Sequence, residues 1–312
     1  MRRYMNAAPP CTLIDFRPLT TDDKTIYEQY LSDGAERGCE ASFANLFLWG
    51  DRRIAFAHGH LLLLSLYGGR YAYPYPLGDG DKKPVIDAIL ADARARHIPC
   101  RFFGLTAEAE DTLRTLYPGQ FRFVRNRDSF DYVYTLDDLA DLPGKKYHGK
   151  RNHINRFRDA VPNCRAVPLC EDNLPAVRRM TDAWFVRRRE ADPYGEYHHE
   201  QAAMEKAFLH YRELGMQALV LMNGEEAVAL TMGSFLSEDT VDVHFEKACA
   251  DIQGAYTAIN CEFARYIRQK YPSVRYLDRE EDMGIEGLRK AKLSYSPIHM
   301  IEKCQAIWEG DI

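Results

Sequence analysis

The order of apolar segments constrains this 312-residue chain more than any single motif in it. Between Arg53 and Thr135, hydrophobic period and turn residues predict three strands, Arg53–Ala57, Leu61–Tyr67 and Tyr71–Tyr75. A helix at Lys83–Arg96, a strand at Cys100–Leu105 and a helix at Ala107–Tyr117 follow, with strand-like stretches at Phe121–Val124 and Asp131–Thr135. After Asn163 the same order returns. Two helices, Asp172–Arg188 and His199–Leu214, lead into strands Gln217–Met222, Ala227–Phe235 and Thr240–Lys247, with Asn223-Gly224 as a hairpin turn. Then come a helix at Gly254–Tyr271, a strand at Val274–Asp278, a helix at Gly284–Leu293 and a last strand at Ile298–Cys304. Two halves with one element order predict a duplicated α/β unit, although the residues themselves do not repeat.

Three strands followed by helix, strand, helix and strand is the core order of the GNAT acyltransferase fold. The third strand of that core runs into a helix whose first amides hold a pyrophosphate, so the chemistry is sought at TVDVHFEKACADIQGAYTAINCEFARYI. Strict alternation along Thr240–Lys247 would turn Val241, Val243 and Phe245 one way and Asp242, His244 and Glu246 the other. Glu246 and His244 are the residue types that deprotonate an attacking amine; the alternative is that they face solvent or pair with nearby cations. The helix opens at Gln253-Gly254-Ala255, where small residues let a phosphate reach free backbone N–H groups. This is only part of the acyl-CoA pattern Q/R-x-x-G-x-G/A, and a helix start kept small for packing reads the same way. In the first half, the third strand runs through Tyr75-Pro76 into GDGDKKP and lacks such an opening, so donor binding is not expected there.

The net charge is −5, yet KKYHGKRNHINRF, Lys145 to Phe157, holds five lysines and arginines and no acid. Read as a helix, it places Lys146, Lys150 and His153 along one face and points Ile154 and Phe157 at a core. Lys150, Arg151 and Asn152 are candidates for contacts to a sugar-phosphate backbone and an exposed terminal base. The competing reading is a linker helix whose charges pair across an interface. Further on, LDREEDMGIEGLRKAKLSYSP puts a charged loop before a short helix in which Arg289 and Lys292 share a face that would suit a phosphate or carboxylate. A solvated, salt-bridged helix has the same pattern.

Eight cysteines occur without a CxxC, and His198-His199 lacks nearby partners, so neither a disulfide framework nor a metal site is expected. The longest apolar run, around Leu61–Leu64, is too short to cross a bilayer, and MRRYMNAAPPC lacks the apolar core of a signal peptide. A cytoplasmic location is the expectation.

The combination of KKYHGKRNHINRF, HFEKACADIQGAYTAINCEF and LDREEDMGIEGLRKAKLSYSP resembles the family sharing the C-terminal domain of bacterial phosphatidylglycerol lysyltransferases. The resemblance implies an α/β (α+β) chain with two tandem GNAT-like acyltransferase domains, as in the Fem peptidoglycan aminoacyltransferases. Each would be a mixed, mostly antiparallel sheet flanked by helices. The expected spans are 1–144, a basic connecting helix at 145–163, and 164–312 carrying the site. The resemblance also implies transfer of an aminoacyl group from aminoacyl-tRNA to an amine or hydroxyl on a small molecule, peptide or lipid headgroup. By residue type and position rather than by the resemblance, Glu246 or His244 would take the acceptor's proton, and Tyr256 or Tyr295 would protonate the leaving oxygen. Gln253, Gly254, Ala255, Lys150, Arg151, Asn152, Arg289 and Lys292 would hold the donor's phosphates, with the tRNA acceptor end entering at the basic helix. No tightly bound cofactor is expected. Acyl-CoA as the donor, and a non-catalytic module that binds tRNA or a nucleotide, are the alternatives.

Overall fold

The computed structural model of the protein describes residues 13–31, 37–192 and 197–310. Among these, strands β1 (Arg17–Pro18), β2 (Asp51–Ala57), β3 (His60–Tyr67), β4 (Arg70–Pro74), β5 (Arg101–Leu105) and β6 (Phe121–Arg125) come first. They are followed by β7 (Asp131–Thr135), β8 (Arg165–Pro168), β9 (Gln217–Asn223), β10 (Glu226–Phe235), β11 (Thr240–Ala248), β12 (Tyr276–Asp278), β13 (His299–Ile301) and β14 (Cys304–Trp308). They build two seven-stranded sheets, ordered β1-β2-β3-β4-β5-β14-β6 and β13-β7-β12-β11-β10-β9-β8. Each sheet has one parallel pair, β4 with β5 and β11 with β12, in an otherwise antiparallel arrangement.

The flanking helices are α1 (Lys24–Tyr30), α2 (Phe43–Leu48), α3 (Lys82–Ala95), α4 (Ala107–Leu116), α5 (Leu136–Asp141), α6 (His148–Ala160), α7 (Leu174–Ala191), α8 (Tyr197–His210), α9 (Ala255–Lys270) and α10 (Glu286–Leu293). The expected helices and strands recur within a few residues of their predicted ends. The expected domain spans do not. The compact units combine Gly50–Asn126 with the segment from Lys303 in one, and Gly38–Trp49 with Arg127–Glu302 in the other. Strand β7, expected to close the first half, pairs with β12 and β13 of the second sheet. The expected strand Ile298–Cys304 divides at Glu302-Lys303, so β13 serves the second sheet and β14 lies between β5 and β6 of the first. An alternating apolar pattern says which side of a strand is buried but not which neighbour it pairs with.

The first unit buries Leu62, Leu64, Val85, Ile89, Phe102 and Leu113 around its sheet. At the start of α3, where the other half was expected to bind a donor and this one was not, the Asp81 carboxylate accepts the Lys83 N–H and caps the helix.

In the second unit α6 is not a tether. Tyr147, Ile154, Phe157 and Val161 recur at helical spacing and enter one core with Ala258, Ile259 and Phe263 of α9. Helix α9 is buried on most sides because α5, α6 and the sheet pack around it. Cys39, Cys100, Cys261 and Cys304 are buried and outside any disulfide, and Cys170 is exposed.

Candidate active site

Strand β11 carries the two residues expected to work together, and a bulge separates them. Gly233 of β10 pairs with Val243 and Met232 pairs with Phe245, so His244 has no residue opposite it. An extra residue shifts the two-residue alternation by one. Val241 and Val243 join the core around α9, whereas Phe245 meets the Trp49 ring at 5.9 Å on the other side. Beyond the bulge Glu246 turns to α9 and Lys247 to α7 and α8. The expectation that His244 and Glu246 line one face is therefore corrected: they project to opposite faces. Gly233 permits the bulge, because a Cβ there would lie 2.4 Å from the Asp242 carbonyl oxygen.

On the α9 face, Glu246 accepts from Arg279 Nη2 at 3.0 Å and from Asn260 Nδ2 at 3.2 Å. Thr231 stands directly opposite Glu246 in the β10–β11 pair. The Lys150 ammonium lies 3.6 Å from the centroid of the Tyr295 ring, and the Arg279 guanidinium 4.9 Å from the same ring. Burial first, then the charge of Arg279, push the Lys150 pKa down to about 8 against the pull of Glu246. Burial pushes Tyr295 up to about 12. It also works against the charge of Arg279, but Glu246, Tyr134 and Tyr295 outweigh it and raise that pKa. Three buried atoms here have no hydrogen-bond partner among the described residues: Arg279 Nη1, Asn260 Oδ1 and Thr231 Oγ1.

The opposite face holds a different network. His244 Nε2 is 2.8 Å from Ser234 Oγ, and its Nδ1 is 3.1 Å from Glu280 Oε1 and 3.4 Å from Asp242 Oδ2. Ser234 Oγ in turn lies 3.0 Å from Ser42 Oγ, and Asn45 Nδ2 donates to Glu280 at 3.2 Å. Glu280 adopts a left-handed backbone with φ of 55°, which the surrounding contacts hold against its steric cost. Asp242, His244 and Glu280 bring potential metal-ligating atoms within 4.8 Å of one another, as do Cys39, Glu40 and Asp131. Ser234 and Glu280 engage both ring nitrogens of His244, so the histidine is satisfied by protein groups.

The other predicted residues disperse. Tyr256, in the first turn of α9, accepts from Trp184 Nε1 at 2.7 Å, and burial raises its pKa. Gly254 has a φ of 86°, and a Cβ there would stand 2.1 Å from the His153 carbonyl oxygen and 3.2 Å from Phe157 Cβ. The glycine between Gln253 and Ala255 is thus explained by the approach of α6, which lies where a pyrophosphate was expected to come close. Of the basic helix, Lys150 turns inward to Tyr295. Arg151 Nη1 donates to the carbonyls of Leu142 at 2.5 Å and Gly144 at 2.8 Å, and exposed Asn152 bonds His148 at 3.2 Å.

Arg289 and Lys292 are committed to building the loop. Arg289 grips Asp282 through Nε at 2.9 Å and Nη2 at 2.8 Å, and also reaches Asp128. It is the leading cause holding the Asp282 carboxyl well below the usual range. Buried Lys292 donates to the carbonyls of Arg279 and Glu280. Together they hold the turn that aims Arg279 at one face and Glu280 at the other. In the sequence Arg279 is one member of a charged loop, and neither Asn260 nor Thr231 belongs to a recognisable motif. A polar residue inside the buried run of α9 was the signal for Asn260.

The family model described as phosphatidylglycerol lysyltransferase, C-terminal, matches residues 32–307. A conserved protein of unknown function from Bacteroides thetaiotaomicron is 34% identical, with 95% of this chain and 100% of that one covered at a TM-score of 0.84. The C-terminal domain of a putative lysylphosphatidylglycerol synthetase from Agrobacterium fabrum is 12% identical, with 93% of each chain covered and a TM-score of 0.65. L-PGS from Bacillus licheniformis is 18% identical, again with 93% of each chain covered, at a TM-score of 0.64. No curated protein matches. The two mixed sheets with their flanking helices constitute a GNAT-like acyltransferase fold. Among the described residues no helix is long and apolar enough to cross a membrane.

Proposed function

Since this chain belongs to the phosphatidylglycerol lysyltransferase C-terminal family, we propose that it transfers an aminoacyl group from aminoacyl-tRNA to an amine or hydroxyl acceptor, using the α9 face of β11. The observation that carries the reading is the largely enclosed Glu246–Arg279 pair, each side chain 13% exposed, with Lys150 beside it over Tyr295. Glu246 is the base that takes the acceptor's proton as the acceptor attacks the ester carbonyl. Arg279 and Lys150 supply positive charge where the carbonyl oxygen becomes an oxyanion. As the tetrahedral intermediate collapses, the C–O bond to the ribose breaks and the leaving oxygen takes a proton from Lys150. A lysine with a pKa near 8 gives up and regains a proton readily close to neutrality. The role first given to the tyrosines changes: Tyr295 offers its ring to the two cations, and Tyr256 is engaged with Trp184.

The exposed part of the basic helix, including His148, Asn152, His153 and Arg156, is the surface offered to the acceptor end of the tRNA. The acyl-CoA alternative draws less support, because α6 closes on Gly254 at the helix start such a donor uses. The test is binding of purified protein to labelled bulk tRNA at low and physiological salt, with acetyl-CoA as competitor. Salt-sensitive tRNA binding, and loss of acyl transfer from charged tRNA in Glu246→Gln, are the expected results. Calorimetric binding of acetyl-CoA without any tRNA binding overturns the donor.

A further inference from the structure

The site described above contains more hydrogen-bonding capacity than an acyl carbonyl can use. We propose that Asn260 Oδ1 and Thr231 Oγ1 recognise the α-ammonium of the transferred group, making these two residues the ones that select an aminoacyl donor over a simple acyl donor. The inference rests on the acyl-transfer reading of the Glu246 face.

An ionised carboxylate such as that of Glu246 only accepts hydrogen bonds. Asn260 reaches Glu246 Oε2 at 3.2 Å, so the atom making that contact is the amide nitrogen, and the orientation of the side chain is fixed. Its oxygen is then the atom left over. Asn260 is 2% exposed and Thr231 is 0% exposed, and neither the amide oxygen nor the hydroxyl has a partner among the described residues. Buried polar groups in folded proteins are paired as a rule, and an exception calls for an explanation, a bound water, ion or substrate group among them.

The unused groups sort by type. Asn260 Oδ1 only accepts and Thr231 Oγ1 can accept while its O–H donates, and both flank Glu246, one from α9 and one from the neighbouring position on β10. Arg279 Nη1 donates, and its guanidinium lies over the same Tyr295 ring that Lys150 meets. An acetyl group presents one oxygen and satisfies the donors alone. An aminoacyl group presents an ammonium one carbon away from its carbonyl, which meets acceptors and donors together. Such a site rejects the analogue that lacks the ammonium, because two buried acceptors then stay unmet.

The probes are 3′-deoxy-3′-(glycylamino)adenosine and 3′-deoxy-3′-(acetylamino)adenosine, stable amides differing only in the ammonium and carrying no amino-acid side chain that could clash. Calorimetry on the full chain is expected to show the glycyl compound binding at least tenfold tighter. Thr231→Val should cut that preference by about threefold or more while the melting temperature holds or rises, since it removes a hydroxyl that bonds nothing in the protein. Equal binding of both compounds overturns the inference and leaves the acyl-transfer reading standing. Binding of acetyl-CoA with neither adenosine compound bound overturns the reading itself. A preference that survives unchanged in Thr231→Val and in Asn260→Leu shows that these acceptors serve a buried water only, which also overturns the inference.

Discussion

The Glu246 carboxylate meets the Arg279 guanidinium at 3.0 Å just past the point where β11 and β12 stop pairing. Their parallel register ends at Asp242 opposite Asp278. Beyond it the strands are joined by side chains, Glu246 to Arg279 on one face and His244 to Glu280 on the other.

Cutting one side of the first pair tests its weight. Arg279→Ala leaves Glu246 in a site where each partner's side chain is 13% exposed. Removing one partner of a buried ion pair costs about 3–5 kcal/mol. Chemical denaturation should report a loss of that order, and acyl transfer should fall by about a hundredfold or more. In Glu246→Gln with Arg279→Ala, the two stability losses should be clearly less than additive.

In the proposed mechanism Lys150 sets the pH dependence of the reaction. The unfolded lysine titrates near 10.5 and the folded one at about 8. Below 8 both states are protonated and folding bears the burial penalty. Between 8 and 10.5 the unfolded chain holds more protons, so stability should rise with pH across that window. Activity should run the other way, because the leaving oxygen needs the proton: kcat/KM should decline above about pH 8. Lys150→Arg should remove that limb from the pH profile, and a profile unchanged by the substitution would exclude Lys150 as the acid.

His244 should behave as a structural residue. His244→Phe breaks its contacts to Ser234 and Glu280 and leaves polar groups buried without a partner, at a cost of about 1–3 kcal/mol. Its melting temperature should drop, while kcat in the remaining folded protein falls far less than in Glu246→Gln. A drop in kcat as large as that of Glu246→Gln at unchanged stability contradicts this.

Gly254→Ala should destabilise the fold whatever the donor. The new methyl group meets the His153 carbonyl at 2.1 Å, and the backbone sits at a φ of 86°. A loss of about 2–4 kcal/mol is expected from strain and displaced packing together. Thermal melting without substrate reads it directly.

Arg151→Ala should separate binding from folding in the basic helix. Because Arg151 holds the carbonyls of Leu142 and Gly144, its loss should lower stability by about 1 kcal/mol or more. The salt dependence of tRNA binding, which counts phosphate contacts, should keep its slope. A shallower slope would instead make Arg151 a phosphate ligand.

Period and turn chemistry made the element order legible, since a strand such as Leu61–Tyr67 or a helix such as Lys83–Arg96 is fixed by its own residues. The alternation on β11 was legible only up to His244, because a bulge depends on the neighbouring strand and on Gly233 beside it. Arg289 and Lys292 looked like ligand groups from their spacing, but charges on a short helix are as well suited to gripping a loop. The residue those two position, Arg279, carried no signal of its own. Its importance comes from Glu246, more than thirty positions earlier, and from a fold that brings the two together.

The place of β14 sets a timetable for synthesis. Strands β5 and β6 do not pair with each other; each is completed by β14 lying between them. As the chain leaves the ribosome, the first sheet therefore waits with open inner edges until Cys304 and its neighbours have emerged. The second unit, whose segments run from Gly38 to Glu302, has all its strands before that moment. The earliest part of the chain to be made thus waits for its last strand, and a fragment ending before β14 would leave two unpaired strand edges ready to join those of another copy.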